Sequence, residues 1–178
     1  MVESWLKVLF ESAQAACIGL FRKGDESMLE IKSLQDCLSR QNELADYVKE
    51  QWPKVSNVVL PNIIQSAMVA DGLPRTYVLL KDGAIIGFYL LIEQELVSRK
   101  DVTPWISPLF IDSRERGKAH GSLLLEHARR TAGSLGYDQV YLATDHIGYY
   151  ERYGFREIGL DMFEWGRPTK LYEHDTIQ

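Results

Sequence analysis

Apolar and polar positions change rhythm several times along the chain. Thr76 to Leu80 and Ala84 to Ile92 are apolar runs separated by Lys81-Asp82-Gly83. Asp and Gly tolerate the positive backbone angles of a tight turn, so this stretch predicts a hairpin of two antiparallel strands. The second strand can continue through Val97. Trp105 to Ile111 predicts a further strand, after which the order becomes helix, strand, helix, strand: Gly117 to Leu135, Gln139 to Ala143, Gly148 to Tyr153, and Phe155 to Trp165. Arg167 to His174 follows the Gly166-Arg167-Pro168 turn as a last strand.

Upstream, Met28 to Ile31 predicts a short strand. Leu34 to Tyr47 predicts a helix with Leu34, Leu38, Gln41 and Leu44 along one side. A second helix is expected from Leu60 to Val69, opened near Pro61 because proline at the first helical position sacrifices no bond, and ended near Asp71-Gly72. Near the start, Glu3, Lys7, Glu11 and Gln14 recur at helical spacing and leave Trp5, Leu6, Leu9, Phe10 and Ala13 as an apolar stripe, a helix of about four turns. Its amphipathicity leaves open whether it covers its own domain, meets another subunit or lies on a membrane surface. The elements together predict an α/β protein with a mixed central sheet and helices on both faces. One domain is expected over residues 1–178, with 1–23 as a helical extension.

Length agrees with that, since 178 residues suffice for one full core and not for two comfortable domains. Twenty basic against 25 acidic residues give a formal charge of −5, which opposes nucleic acid and favours cationic partners. Cys17 and Cys37 have neither metal-ligand spacing nor a disulfide framework, which fits a reducing, cytoplasmic setting without a bound metal. The apolar run Ala15 to Phe21 lacks a cleavage pattern after it. No stretch reaches the roughly 20 apolar residues of a membrane span, so a soluble protein with no membrane partner is expected.

Two segments carry chemistry. The first runs from the strand ending Leu109-Phe110-Ile111 through Arg114-Glu115-Arg116-Gly117-Lys118-Ala119-His120-Gly121 into a helix with Leu124, Ala128 and Ala132 on one side. Small residues between a strand and a helix let main-chain N–H groups converge on phosphate oxygens, and the helix N-terminus adds a favourable partial charge. By itself Gly-x-Ala-x-Gly also fits an ordinary helix start. It lacks the Gly-x-Gly-x-x-Gly of dinucleotide sites and the Gly-Lys-Ser/Thr ending of a Walker loop. The second segment is Tyr141 to Phe155, in which a strand leads through Thr144-Asp145-His146 to Tyr149-Tyr150-Glu151-Arg152-Tyr153-Gly154-Phe155. His146 and Tyr150 are four apart and share a face if the short helix starts early enough.

The chain resembles the GNAT superfamily of acetyl-CoA-dependent N-acetyltransferases in both places. Arg114-x-x-Gly117-x-Ala119 is similar to that family's Gln/Arg-x-x-Gly-x-Gly/Ala diphosphate turn, and Tyr150-Glu151-Arg152-Tyr153-Gly154-Phe155 to its Tyr-Glu-Lys-x-Gly-Phe segment. The resemblance implies a mostly antiparallel mixed sheet and acetyl-CoA as the acetyl donor. It also implies a cofactor site at Arg114, Arg116, Gly117, Lys118, Ala119, His120 and Gly121, with backbone groups around Phe110 and Ile111 holding the pantetheine arm like an added strand. By the same resemblance Tyr150 is the residue that hydrogen-bonds or protonates the departing CoA sulfur. Direct attack by a small-molecule primary amine in a ternary complex is then expected, and the same resemblance, with the apolar N-terminal stripe, points to a homodimer.

The sequence also departs from the family. Ala143 and His146 stand where many members carry asparagine and alanine. His146 is a candidate base, its unperturbed pKa being near physiological pH; its other reading is hydrogen-bonded positioning or helix capping. Glu93 and Glu95 are candidates on the preceding strand, where alternation puts both on one side; on a solvent-facing side they form only a polar rim. Trp105 and the N-terminal helices are candidate walls of the acceptor pocket. A CoA-binding sensor with little catalysis and a peptide or protein N-acetyltransferase remain alternatives.

Overall fold

The structure is a computed structural model that describes residues 27–178. The predicted helix within 1–23 and Cys17 lie outside the described residues. At the centre is strand β3, Ala84–Ile92, in which every residue after Ala84 is buried. A run that is apolar on both sides has to sit inside a sheet covered on both faces, and it does. Strands β1 (Leu29–Ser33), β2 (Arg75–Lys81), β3, β4 (Trp105–Ile111), β5 (Gln139–Thr144), β6 (Arg156–Met162) and β7 (Pro168–Asp175) form one sheet in the order β1-β2-β3-β4-β5-β7-β6. All neighbours are antiparallel except β4 and β5. This is the mixed, mostly antiparallel architecture expected.

Alternation divides the core. Val78, Leu80, Phe88 and Leu90 face helices α1 (Gln41–Gln51) and α2 (Ser56–Ser66), meeting Leu44, Val48, Val59 and Ile63. Leu79, Tyr89, Leu91, Ile106 and Leu142 face the other way, onto Leu124, Leu125, Ala128 and Ala132 of α3 (His120–Ser134). The β2–β3 hairpin closes as predicted: Asp82 and Gly83 have φ of 51° and 82°, the pair of positive values a two-residue turn of this twist requires.

Four expectations are corrected. The helix from Leu34 is split, because Cys37 has non-helical angles (φ −142°, ψ 49°); Leu34–Arg40 is a 3-10 segment and α1 begins at Gln41. Helix α2 starts at Ser56, so Pro61 lies inside it and is exposed. β3 stops at Ile92 and does not reach Val97, which instead bridges Phe163 beside β6. Residues 146–149 are not helical, and only Glu151–Tyr153 makes a single 3-10 turn. Among the described residues no helix is long and apolar enough to cross a membrane.

Candidate active site

β4 and β5 set up the site by separating. They share one pair, Trp105 with Tyr141, sealed by the Tyr141 N–H donating to the Pro104 carbonyl at 2.9 Å. Beyond it β5 pairs with β7 as far as Thr144, while β4 keeps only β3. The stretch of β4 from Ile106 to Ile111 therefore has an open edge on the side where β5 has turned away.

Which main-chain groups line that edge follows from alternation. The Asp112 N–H donates to the Ile86 carbonyl at 2.8 Å, so Asp112, and two residues earlier Phe110, direct their hydrogen-bonding groups toward β3. Leu109 and Ile111 direct theirs away, into the gap. Of the pair named from the sequence, Ile111 opens into the gap together with Leu109, whereas the main-chain groups of Phe110 turn toward β3. The Ile111 carbonyl is engaged by Arg116 Nε at 3.0 Å. Between Ile106 and Leu109 the register slips: Leu91 pairs with Ile106 but Tyr89 with Leu109, so β4 carries one residue more than β3 across this stretch. Pro108 lies in this bulge and has no N–H to offer.

β4 then runs into the glycine turn. Asp112, 3% exposed, caps a short 3-10 segment by accepting the Arg114 N–H at 2.9 Å, and it also accepts Arg114 Nε at 3.1 Å and an Arg114 NH2 group at 2.9 Å. These bonds from Arg114 hold its carboxyl below the usual range. Gly117 (φ 78°) and Ala119 (φ 62°) then take left-handed angles on either side of Lys118. Among the described residues, the six consecutive N–H groups from Arg116 to Gly121 donate to no protein acceptor. Donors turned inward by alternating backbone hands form an anion seat, and the start of α3 reinforces it.

Side chains reinforce the charge unevenly. Arg114 is 82% exposed beside the turn. Arg116 lies with its guanidinium 5.7 Å from the centre of the Phe110 ring. Lys118 is drawn to Glu115 at 3.0 Å, and Lys81 stands 3.6 Å from the same carboxylate. The His120 side chain is buried with both ring nitrogens lacking a hydrogen-bond partner, Nε2 being 3.4 Å from Glu115. Burial lowers its pKa.

Across the gap stands the tyrosine segment. Tyr150 is half-buried, its ring meeting Tyr149 edge-on at 5.0 Å and Phe155 at 5.9 Å, with Tyr172 tilted against it at 6.4 Å. Among the described residues no hydrogen bond engages its hydroxyl. Burial, with Tyr149 adding to it, pushes its pKa up to about 12, so the phenol stays protonated near neutral pH.

The other candidates are placed less centrally. His146 is exposed; its N–H donates to Thr144 Oγ1 at 3.1 Å, and its ring is 6.3 Å from that of Tyr149. Because 146–149 are not helical, the shared face with Tyr150 does not form. Asp145 pairs with Arg167 and caps no helix. Glu93 and Glu95 lie past the end of β3, which removes the alternation that would have put them on one side. Glu93 is exposed, whereas Glu95 is buried and accepts the Leu96 N–H at 2.7 Å. Trp105 is wholly buried and donates to the Val102 carbonyl at 2.9 Å, a core residue and no pocket wall. Among the described residues no cluster of His, Cys, Asp or Glu could hold a metal ion.

Two residues that sequence reasoning passed over flank β4. Tyr47 of α1 and Trp52 just after it meet Phe110 at 6.1 and 5.5 Å. The Tyr47 hydroxyl is buried without a partner, and burial, then Asp112, drive its pKa up. Aromatic residues near the end of an amphipathic helix were the available signal, and only the packing of α1 over β4 gives it meaning.

A sequence model of the acetyltransferase (GNAT) domain matches residues 73–157, which include β4, the glycine turn, α3 and Tyr150. An aminoglycoside 6'-N-acetyltransferase from Enterococcus faecium is similar in structure with a TM-score of 0.65 at 16% identity, covering 83% of this chain and 97% of that one. An aminoglycoside 6'-N-acetyltransferase complexed with coenzyme A gives 0.63 at 17%, again covering 83% and 97%. An IAA acetyltransferase from Bacillus cereus gives 0.55 at 20%, covering 83% and 99%. At such identities the likeness is one of fold. No curated protein sequence matched significantly.

Proposed function

Residues 73–157 match the acetyltransferase (GNAT) domain, and from that premise we propose that the chain is a GNAT-superfamily enzyme that transfers the acetyl group of acetyl-CoA to the primary amine of a small molecule. One observation carries the reading: six unpaired amides at the start of α3 adjoin a strand edge left open by the parting of β4 and β5. The amides of Arg116 to Gly121 seat the diphosphate, with Arg114 and Arg116 adding charge. The outward-facing groups of Leu109 and Ile111 hold the pantetheine arm, and Arg116 releases the Ile111 carbonyl when the arm arrives. The Leu109 N–H polarises the thioester carbonyl, since Pro108 cannot.

The neutral amine attacks that carbonyl directly, a nitrogen–carbon bond forms, and the carbon–sulfur bond breaks as Tyr150 donates its proton to the thiolate. His146, exposed at the rim, takes the ammonium proton through water, because Glu95 is committed to its own loop. Support for a small-molecule acceptor comes from the similar folds whose names specify aminoglycosides.

Calorimetry with acetyl-CoA, competed by inorganic pyrophosphate, tests the seat. Thiol release across polyamines, aminoglycosides and peptide N-termini tests the acceptor. No acetyl-CoA binding sinks the reading. Binding without acceptor-dependent turnover turns it toward a sensor, and turnover with peptides alone toward a peptide acetyltransferase.

A further inference from the structure

A single tyrosine ring separates the start of α3 from Tyr150, and its fit depends on a glycine. Gly121, the second residue of α3, is buried. A methyl group at its α-carbon would overlap the Tyr149 hydroxyl, yet it would stand an ordinary 3.5 Å from the ring carbon bearing that hydroxyl. The space a side chain would take at 121 is therefore filled by one phenol oxygen. The same ring meets Tyr150 edge-on (5.0 Å, 84°) and Tyr153 at 5.3 Å, and the Arg152 guanidinium lies 5.6 Å from its centre. Tyr150 is backed in turn by Phe155 and Tyr172.

We infer that Tyr149 is a positioning residue for Tyr150: its hydroxyl, seated on Gly121, fixes the depth of a ring whose face sets the angle of the Tyr150 phenol. The inference rests on the reading of Tyr150 as the proton donor. It ties the acid to the helix that carries the diphosphate seat, so that thiolate and proton donor are registered by one contact. Edge-to-face rings have a preferred geometry, and close-packed side chains transmit a displacement to their neighbours.

The contact can be exchanged atom for atom. Gly121→Ala alone drives the new methyl into the hydroxyl, Tyr149→Phe removes the hydroxyl, and the pair together leaves the methyl against the ring at van der Waals distance. Gly121→Ala should lower kcat about tenfold, measured at saturating acetyl-CoA so that any effect through the Gly121 amide is kept apart, as expected of overpacking beside a reacting group. Adding Tyr149→Phe should recover about fivefold of that loss, because the two sites are in contact and their effects do not add. In a Tyr150→Phe background, Tyr149→Leu should change kcat less than about twofold, since the positioned group is gone. If Gly121→Ala does not fold, Tyr149→Leu replaces it, with the same loss expected beside Tyr150 and its absence beside Phe.

A loss that persists in the Tyr150→Phe background, or that Tyr149→Phe fails to relieve, overturns the inference while leaving the transferase reading intact. Wild-type turnover in Tyr150→Phe removes the proton donor and the inference with it. Failure of the wild-type protein to bind acetyl-CoA is a separate outcome and refutes the reading beneath both.

Discussion

The Tyr150 phenol is held at a pKa of about 12 by burial, so it is a proton donor and hydrogen-bond donor throughout the ordinary pH range and never a base. Tyr150→Phe keeps the ring contacts with Phe155 and Tyr172 and removes only the donor. We expect kcat to fall about 10²-fold, the usual worth of a positioned acid, with acetyl-CoA affinity by calorimetry unchanged. The wild-type rate should show no alkaline loss attributable to Tyr150 below pH 10. A second residue governs stability. His127 shares a 2.7 Å hydrogen bond with the Tyr89 hydroxyl, and burial lowers its pKa from 6.5 to about 4. A folded pKa below the unfolded one means that stability is fully present above pH 6.5 and is lost as pH falls toward 4. His120 and His174 shift in the same direction. At about 1.4 kcal/mol per unit, His127 accounts for at most about 3.5 kcal/mol. Melting curves from pH 7 to 4 should show a decline that His127→Asn reduces; an unaltered decline refutes the assignment.

Elements were legible where their chemistry is local. The β2–β3 turn is fixed by Asp82-Gly83, and β3 and β4 were found by their largely apolar runs, although the sequence carried β3 past Ile92, where the strand ends. Helices near Pro61 and Cys37 were less so, because proline suggested a start that packing places five residues earlier. Pro61 is exposed within α2 and supplies no N–H to the Asn57 carbonyl. Pro61→Ala should raise unfolding free energy by about 1–3 kcal/mol, the cost of interior proline, as read in denaturant titration. The glycine turn was legible as a pattern, and its angles explain why. Gly117 has φ 78° with open space where a side chain would stand, so substitution there meets a backbone penalty alone. Gly117→Val should cost about 1–2 kcal/mol in the left-handed region and weaken acetyl-CoA binding about tenfold or more. Equal affinity would show that this turn does not seat the diphosphate.

At the scale of the whole molecule, the site joins two segments brought together by the parting of parallel strands. Among the described residues the one cysteine, Cys37, is part-buried, donates to the Ser33 carbonyl and has its pKa raised by burial. Burial thus disfavours the Cys37 thiolate, and direct attack predicts intersecting, sequential initial-rate patterns; parallel lines would require a covalent intermediate. The sequence by itself determined the central hairpin, the strand-turn-helix with its small residues, and the tyrosine segment, because turn angles, amide exposure and apolar periodicity are properties of near neighbours. Only the tertiary structure decided the rest: that Leu109 rather than Phe110 faces the gap, that Glu95 folds back on its loop, that Trp105 is core, and that Tyr149 rests on Gly121. Each depends on which strand bonds on which side, or on a contact between residues far apart in the chain, and a single sequence does not encode those locally.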